Sequence, residues 1–262
     1  MNILTFPFYK YQGTGNDFII IDGITNDVNS INNIVVARLC DRKFGIGADG
    51  LMIISRHEGF DFEMIYYNSD GGLSTMCGNG GRCIAALAHQ LGYCGLEVHF
   101  LAADGPHFAS VESDEVALGM ANVEVINQIN PSDYVLNTGS PHYVSFTEKK
   151  NLENIVEVGK KIRYSENYIS EGINVNLCFW DGSVLYVATY ERGVEDETLS
   201  CGTGVTAAAL AAASHLDLQS PITIQTKGGR LSVSFQRQET SYHKVVLKGP
   251  ATLVFKGEIE IQ

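Results

Sequence analysis

CGNG at residues 77–80 and CGTG at residues 201–204 are the stretches that decide the fold. Each opens a run of small, Ala-rich residues that predicts a buried helix. The second stretch starts 124 positions after the first, since 201 minus 77 is 124. Two such similar stretches predict a chain of two similar halves, each with one cysteine at the start of a helix.

The same offset relates two further pairs of segments. Residues 14–16 (TGN) fall on residues 138–140 (TGS), and residues 66–68 (YYN) fall on residues 190–192 (YER). Three blocks in one register indicate a duplicated domain rather than local coincidence. We predict an α+β fold of two pseudo-symmetric halves, each a strand-rich layer or barrel around a central apolar helix.

The polar segment 127–133, which contains a proline, is the best linker in the sequence. Residues 250–262 are predicted to form a last strand that crosses back and covers an unpaired edge of the first half. The predicted domains are therefore residues 1–126 with Cys77, completed by residues 250–262, and residues 127–249 with Cys201.

Several local predictions depend on the pattern of apolar and polar residues. Ser30 is expected to cap a helix with an apolar face. That face would consist of Ile31, Ile34, Val35 and Leu39. The helix after Cys77 is predicted to end at Gly92. Further local predictions are a strand at 123–126, an amphipathic helix at 151–162 and a polar loop at 195–197.

Composition restricts the class of protein. The chain has 262 residues, 18% charged residues and a net charge of −12, and it has no basic cluster, which argues against nucleic-acid binding. The N-terminus lacks the profile of a signal peptide and no apolar run is long enough to span a membrane, so we expect a cytoplasmic protein with reduced cysteines. There is no Cys-x-x-Cys pair and the histidines do not cluster, so no metal site is expected.

A cysteine directly before a helix lies next to backbone N–H groups that have no partner inside the helix. Those groups and the helix dipole stabilise negative charge, which favours a thiolate and can also hold a carboxylate. Two such helix starts facing one cleft would bind a carboxylate with one thiol on each side of the adjacent carbon. One thiol would remove a proton from one face while the other returns a proton to the opposite face.

The chemistry that this arrangement permits is inversion at an amino-acid α-carbon. Without an electron-sink cofactor, the carbanion's charge must pass into the carboxylate, and helix N-termini are suitable donors for it. Cys77 and Cys201 are therefore the candidate acid-base groups. The candidate carboxylate-binding residues are Gly78, Asn79, Gly202 and Thr203. The remaining cysteines, at positions 40, 83, 94 and 178, are expected to be small buried hydrophobes.

Other polar residues have two interpretations. Arg192, which follows Glu191 at a strand end, is a candidate for binding a substrate carboxylate. His142 taken alone is more typical of a core or surface histidine. The remaining candidates, which are either turn residues or substrate ligands, are Asn16, Asn68 and Asn174.

These motifs resemble those of the diaminopimelate epimerases, which interconvert LL- and meso-diaminopimelate without a cofactor for lysine and peptidoglycan synthesis. The likeness covers nearly the whole chain, and the motifs in combination are highly specific. They are GTGNDF at 13–18, DRKFGIGADG at 41–50, NSDG at 68–71, CGNGGRC at 77–83, YERG at 190–193 and CGTG at 201–204.

The resemblance implies that Cys77 and Cys201 are the two acid-base thiols and that the protein is a homodimer acting on a small amino acid. It further implies that residues 78–79 and 202–203 hold the reacting carboxylate. The residues implied to bind the amino and carboxylate groups at the two ends of the substrate are Asn16, Asn68, Asn174, Glu191 and Arg192. Those implied to adjust the acidity of the thiols are His142 and Glu191.

The chain departs from the family pattern at three places. Ser140 stands where many members have Asn, and Gly50 stands where some members bind substrate through Gln. The loop before Cys201 carries Glu195-Asp196-Glu197 and is one residue longer than usual. None of these departures removes a proton-transfer group.

Three alternatives remain open from the sequence. Proline racemase-like enzymes of the same fold have His where Asn79 stands and lack the YERG stretch. A non-catalytic amino-acid-binding protein would keep the carboxylate site, but the presence of both thiols argues against it. A redox sensor would use the two cysteines as a pair.

Overall fold

The computed structural model describes residues 4–261. The chain divides into two compact units, which are Met1–Leu118 with Pro250–Gln262 (unit 1) and Gly119–Gly249 (unit 2). The predicted α+β class with two repeated halves is confirmed. The predicted domain boundary after residue 126 stays a prediction, and residues 1–3 and 262 of the predicted first half lie outside the described residues.

Unit 1 contains eight strands and two α-helices among its described residues. Their bounds are β1 (Leu4–Gly13), β2 (Asn16–Asp22), α1 (Asn33–Cys40), β3 (Gly50–Ser55), β4 (Phe62–Asn68), α2 (Gly78–Gln90), β5 (Glu97–Ala102), β6 (Gly105–Glu112), β7 (Glu115–Gly119) and β17 (Thr252–Ile261). The strands pair in the order β17-β1-β2-β3-β4-β5-β6-β7. The β2–β3 and β4–β5 pairs are parallel and the others antiparallel.

Unit 2 has the same plan. Its elements are β8 (Asn127–Asn130), β9 (Asp133–Asn137), β10 (Pro141–Phe146), a 3₁₀ turn (Lys149–Asn154), α3 (Ile155–Arg163), β11 (Asn174–Trp180), β12 (Leu185–Glu191), β13 (Asp196–Thr198), α4 (Gly202–Leu216), β14 (Ile222–Thr226), β15 (Gly229–Gln238) and β16 (Ser241–Pro250). The strands pair in the order β8-β9-β10-β11-β12-β14-β15-β16, and β13 adds to β12. The parallel pairs, β10–β11 and β12–β14, occupy the same places in the order as those of unit 1. The internal repeat is therefore a repeat of topology as well as of sequence.

The last strand contributes to unit 1, although it ends the chain. β17 pairs with β1 from Leu4↔Ile261 to Gln12↔Thr252. In unit 2 the same place in the strand order is taken by β8, which pairs with β9. A strand from the C-terminus therefore completes the first repeat.

Each unit has one buried central helix. α2 packs against β1, β2, β3 and β6, and α4 packs against β9, β10, β11, β12, β14 and β15. The row of alanines in α4, residues 207–209 and 211–213, is fully buried. Because these side chains are small, strands approach the helix backbone closely on several sides. α2 ends as predicted, with Gly92 at a φ of +79° and its N–H donating to the His89 carbonyl.

The predicted start of α1 is wrong. Asn32, not Ser30, is the cap, and its side chain accepts hydrogen bonds from the N–H groups of Ile34 and Val35. Within the helix Val36 and Leu39 are buried, whereas Ile34 is 80% exposed. The Asx cap therefore starts the helix two residues later than predicted, and the buried face is not the predicted one.

Four further local predictions need correction. The predicted linker 127–133 forms β8 and the turn into β9, because backbone pairing makes a strand of a polar sequence at a sheet edge. Residues 123–126 form no strand, and only Val123 makes a bridge, to Tyr242. The predicted helix 151–162 is a 3₁₀ turn followed by α3. The predicted loop 195–197 overlaps β13.

The repeat register also shifts by one residue at β4. Pairing places Leu51 opposite Tyr67 and Val175 opposite Tyr190, so that Tyr67 corresponds to Tyr190 with an offset of 123. Asn68 therefore corresponds to Glu191 rather than to Arg192. The offset of 124 returns at the cysteines.

No helix in the described part of the chain combines the length and the apolar character of a membrane span.

Candidate active site

Both predicted thiols lie at the N-cap of a central helix. Cys77 caps α2 and Cys201 caps α4, each with extended backbone and without a capping hydrogen bond from its side chain. The first helical N–H to bond inward is that of Gly81, to the Cys77 carbonyl at 2.7 Å, and that of Val205, to the Cys201 carbonyl at 2.9 Å. The N–H groups of the first turn therefore point outward beside each sulfur, as anion binding requires.

In unit 1, the Cys77 sulfur lies against Asn16. The Asn16 amide nitrogen donates to Asp49 Oδ2 at 2.5 Å, which fixes the orientation of the amide because a carboxylate only accepts. Asn16 Oδ1 then faces the Cys77 Sγ at 3.6 Å and the Asn79 Nδ2 at 3.4 Å. The structure thus brings Asn16, Cys77 and Asn79 together.

Asp49 belongs to a charged cluster next to this group. The Arg42 guanidinium binds Asp17 and Asp49 at 2.6 Å each, and the Lys10 ammonium binds Asp17 at 2.6 Å and the Gly47 carbonyl. Although burial raises it, the pKa of Asp17 is held below its ordinary value by Arg42 and Lys10. The cluster therefore keeps Asp17 ionised and ties the glycine-rich loop 45–50 to β1 and β2.

Arg82 is a site residue that the sequence reasoning quoted within a motif but gave no role. It is fully buried, and its guanidinium donates to Asn79 Oδ1 at 2.9 Å and to the Gly78 carbonyl at 3.3 Å. It also donates to Thr14 Oγ1 at 3.4 Å and to the Pro250 carbonyl at 3.5 Å. Burial lowers the pKa of Arg82, while Cys83 and Cys77 act in the opposite direction.

Asn68, the remaining candidate of unit 1, lies at the exposed end of β4 opposite Gly50. Its backbone N–H donates to the Gly72 carbonyl at 2.9 Å, which closes a turn. A side chain at position 50 is excluded by the structure, because a Cβ there would lie 2.5 Å from the Tyr66 ring. The glycine at this departure from the family pattern is therefore required by its packing.

In unit 2, Cys201 lies within a network of polar side chains. Its Sγ is 3.4 Å from the Thr203 Oγ1, which is 2.9 Å from His142 Nε2 and 3.3 Å from Ser140 Oγ. His142 is fully buried, and burial followed by the charge of Arg192 lowers its pKa to about 3. His142 is therefore neutral near pH 7.

Asn174 connects the segment at Ser140 and Pro141 to the turn at Arg192. Its Nδ2 donates to Ser140 Oγ and to the Pro141 carbonyl, both at 3.1 Å, and its Oδ1 accepts from the Arg192 backbone N–H at 2.9 Å. The Arg192 guanidinium donates to the Glu171 carbonyl at 2.8 Å. Asn174 is thus buried and holds the turn that carries Arg192, whose side chain is exposed.

Glu191 lies at the end of β12, and its Oε2 accepts from Thr198 Oγ1 at 2.9 Å.

Two polar residues behind His142 were not predicted from the sequence. Asn176 Nδ2 lies 3.1 Å from His142 Nδ1, and Thr189 Oγ1 donates to Asn176 Oδ1 at 2.9 Å. A polar residue inside the apolar run of β11 was the available signal for Asn176.

No group of three or more His, Cys, Asp or Glu side chains in residues 4–261 is arranged to hold a metal ion. The arrangement at each helix start instead combines a thiol, outward N–H groups and neutral hydrogen-bonding side chains. Such a group can bind a carboxylate and exchange a proton with the adjacent carbon.

The family model described as diaminopimelate epimerase matches residues 8–126 and 134–254. A diaminopimelate epimerase of Flavobacterium psychrophilum is 47% identical over 96% of this chain and 99% of its own length. The corresponding enzyme of Methanocella arvoryzae is 35% identical over 97% of this chain and 96% of its own. Both likenesses extend over nearly the full length.

Solved structures share the fold at low identity. A phenazine biosynthesis protein of the PhzF family from Bacillus anthracis has a TM-score of 0.73 at 15% identity, covering 98% of this chain and 100% of its own. A hydroxyproline epimerase from Agrobacterium vitis has a TM-score of 0.68 at 14% identity, covering 98% and 93%. At this identity the structural likeness concerns the fold alone.

Proposed function

The chain belongs to the diaminopimelate epimerase family, and we propose that it interconverts LL- and meso-diaminopimelate by proton transfer at one α-carbon. The reaction would serve the synthesis of lysine and peptidoglycan. Cys77 and Cys201 are the proposed acid-base groups, and no cofactor takes part.

The observation that carries the proposal is the cysteine at the N-cap of each central helix. An N-cap side chain ordinarily accepts a hydrogen bond from the helix. Neither cysteine side chain makes that bond. The start of each central helix therefore offers an anion-binding position directly beside a thiol, as a carboxylate with an adjacent reacting carbon requires.

The proposed reaction begins with one cysteine as thiolate and the other as thiol. The thiolate takes the α-proton, so that the C–H bond breaks and an S–H bond forms. The electron pair left on carbon passes into the carboxylate, where helix N–H groups stabilise it. The second thiol then gives its proton to the opposite face of the carbon and becomes the thiolate. In the reverse direction the two sulfurs exchange roles.

The other candidates have proposed roles in binding. The N–H groups at Gly78, Asn79, Gly202 and Thr203 would hold the reacting carboxylate. The exposed guanidinium of Arg192 suits a second carboxylate. The proposed ligands for the amino groups and the far end of the substrate are Asn16, Asn68, Asn174 and Glu191, and His142 is proposed to support Cys201.

The decisive experiment is incubation of the purified full chain with LL-diaminopimelate in D₂O without added cofactor, followed by ¹H NMR and mass spectrometry. Two-thiol transfer puts deuterium into the meso product at early times and leaves recovered LL substrate unlabelled, because different groups remove and return the proton. Equal early labelling of both isomers would contradict the two-thiol mechanism.

Substitutions test the assignment of the thiols. Cys77→Ala and Cys201→Ala should each lower kcat by at least about 10³-fold, since each removes an obligatory proton carrier. Cys83→Ala and Cys178→Ala are matched controls in the same units, and both should keep most of the activity because these thiols are buried. Exchange on L-proline without exchange on diaminopimelate would support a racemase of another amino acid, and binding without exchange would support a binding protein.

Independence of pyridoxal phosphate is part of the proposal. Hydroxylamine and borohydride, which trap cofactor carbonyls, should leave the epimerisation rate unchanged, whereas iodoacetamide should abolish it. Inactivation by the carbonyl reagents would contradict a cofactor-free reaction.

We also propose a homodimer in the cytoplasm. The family resemblance supports the dimer. A mechanism that needs two reduced cysteines supports a reducing compartment. Sedimentation at micromolar concentration and cell fractionation test the two statements, and a monomer or an exported protein would contradict them.

A further inference from the structure

The two units differ in the layer beneath their central helices. In unit 2, β10 pairs with β11 so that His142 lies opposite Asn174 and Val144 opposite Asn176. In unit 1, β2 pairs with β3 in the same register. There Phe18 lies opposite Gly50 and Ile20 opposite Met52, so His142 corresponds to Phe18 and Asn176 to Met52.

The glycines at the starts of the helices contact these equivalent residues. A Cβ on Gly204 would lie 2.5 Å from Asn176 Oδ1, and a Cβ on Gly80 would lie 3.1 Å from Met52 Sδ and 3.5 Å from the Phe18 ring. The same packing position is therefore apolar in unit 1 and polar in unit 2.

The fold does not require polar groups in this layer. Phe18 and Met52 are fully buried in unit 1, and His142 and Asn176 are fully buried in unit 2. Burial of an amide and an imidazole costs free energy unless every group is hydrogen-bonded. The polar layer of unit 2 therefore points to a task that the apolar layer of unit 1 does not perform.

The hydrogen bonds of Asn176 define the tautomer of His142. Asn176 Nδ2 donates to the Tyr143 carbonyl at 3.1 Å, which can only accept, and this identifies the nitrogen of the amide. The same nitrogen donates to His142 Nδ1 at 3.1 Å, while the Oδ1 accepts from Thr189. Nδ1 is therefore the acceptor of the neutral imidazole, and Nε2 carries the hydrogen.

The remaining hydrogens then point in one direction. His142 Nε2–H donates to Thr203 Oγ1 at 2.9 Å. Ser140 Oγ lies 3.0 Å from the same Nε2, so it shares that hydrogen with Thr203, and it also accepts from Asn174 Nδ2 at 3.1 Å. Because Nε2 is a donor, the Ser140 hydroxyl hydrogen does not go to the imidazole and is available to Thr203 Oγ1 at 3.3 Å. When Cys201 is a thiolate, which can only accept, the Thr203 oxygen accepts from these groups and its own hydrogen is left for the Cys201 Sγ at 3.4 Å.

We propose that Asn176, held by Thr189, is a positioning residue that fixes the His142 tautomer and so keeps the Thr203 hydroxyl hydrogen directed at the Cys201 sulfur. Donation to the sulfur favours the thiolate. If Nδ1 carried the hydrogen instead, Thr203 would donate to Nε2 and turn away from the sulfur. The task assigned to Cys201 rests on the proposed function, whereas the hydrogen-bond chain does not.

The tautomer can be measured in the unaltered protein. ¹H–¹⁵N correlation spectra of the ¹⁵N-labelled full chain at pH 7 should show His142 as the neutral Nε2–H tautomer, with His142→Gln supplying the assignment. An Nδ1–H tautomer or an imidazolium would overturn the proposal. This measurement needs neither turnover nor a variant at Asn176.

Variants test the effect on the sulfur. The rate of Cys201 alkylation by iodoacetamide is followed against pH by peptide mass spectrometry, with Cys77 in the same sample as internal reference. In Asn176→Leu, which is nearly isosteric and cannot donate, the midpoint for Cys201 should move upward by about one pH unit because a hydrogen bond to a charged group is lost. The Cys77 profile should stay unchanged.

Thr189 offers a matched pair. Thr189→Val should move the Cys201 midpoint upward by about half a unit, because Asn176 loses its anchor, and Thr189→Ser should restore the original value. The neighbouring charged groups, Glu191 and Arg192, are unchanged in every variant. A Cys201 profile that superimposes on the original, or an equal shift of both cysteines, would overturn the proposal.

The outcomes separate this inference from the proposed function. If the unaltered protein does not epimerise diaminopimelate, alkylation and the tautomer still report on the hydrogen-bond chain. If it does epimerise, Asn176→Leu should lower kcat by about tenfold with little change in KM, since Asn176 does not touch substrate. Unchanged kcat together with an unshifted profile would remove the positioning role and leave the proposed function intact.

Discussion

Arg82 donates to the side-chain oxygen of Asn79 at 2.9 Å, and both residues are buried at the start of α2. The bond orients the amide of Asn79 so that its nitrogen faces Asn16. None of the ion pairs formed within residues 4–261 involves Arg82. A buried cation held by neutral acceptors is therefore placed beneath the proposed carboxylate site, where a bound anion would complement it.

Replacement of Arg82 should reduce both stability and activity. In Arg82→Met, the acceptors on Asn79 and Gly78 remain buried without their donor, so the free energy of unfolding in urea should fall by about 2–3 kcal/mol. kcat/KM should fall at least tenfold because the Asn79 amide loses its orientation. Thr206→Val is the matched control, because Thr206 donates to the Gly202 carbonyl at 2.9 Å in the same place of α4. A stable Arg82→Met variant with full activity would contradict this role.

Two equivalent glycines should respond differently to alanine. Gly204→Ala brings a Cβ to 2.5 Å from Asn176 Oδ1, within a buried network that cannot move freely, whereas Gly80→Ala meets the flexible Met52 sulfur at 3.1 Å. Gly204→Ala should cost about 2–3 kcal/mol of unfolding free energy through overpacking. Gly80→Ala should change it by less than about 1 kcal/mol, since alanine's helix propensity offsets the contact. Equal losses in chemical denaturation would refute the packing difference.

His142 should make the folded protein sensitive to mild acid. Its pKa is lowered from 6.5 to about 3 by burial and then by Arg192, so in acid the unfolded chain binds a proton that the folded chain does not. The stability contribution is complete above about pH 6.5 and falls as the pH drops toward 3. Linkage predicts a loss of about 2 kcal/mol between pH 7 and pH 5 from this group. His142→Gln should show a flatter dependence, and an unchanged slope in urea titrations would show that another group is responsible.

The cysteines should separate by reactivity. Burial raises the pKa of the Cys83 thiol to about 12 and raises that of Cys178 as well, so both are neutral and shielded at pH 8. Iodoacetamide at pH 8 should label the partly exposed Cys77 at least about 100-fold faster than Cys83 or Cys178. In urea all should react at similar rates. Peptide mass spectrometry over time measures this, and fast labelling of Cys83 in the folded chain would disprove the expected protection.

Features with strong local signals were predictable from the sequence. The two Cys-Gly stretches and the Ala-rich runs after them predicted the two central helices and the repeat. A run of small residues that favour the helix predicts a helix that can be buried on all sides. The end of α2 at Gly92 was also predictable, because a glycine at φ +79° closes a helix without strain.

Features that depend on competing local groups could not be predicted from the sequence. Asn32, not Ser30, caps α1, and Ile34, which was expected on the buried face, is exposed. The polar segment before β9 forms β8 because its backbone pairs with β9. The pattern of apolar and polar side chains does not indicate such pairing. The offset between the two repeats changes by one residue at β4. The length of a connection between two strands is set by its turn, and the similarity of the strands does not report it.

The order of residues along the chain determined the placement of Cys77 and Cys201 at helix starts, the duplicated plan and the family. These features depend on which residues follow one another in short motifs. The tertiary structure alone decided which side chains lie behind those thiols. Arg82 and Asn79 are three residues apart on α2 and meet through the helix itself. Asn176 and Thr189 are distant from His142 in the chain, and only the pairing of strands around α4 brings them to it. The direction of their hydrogen bonds follows from carbonyl groups that can only accept, and no sequence pattern reports that geometry.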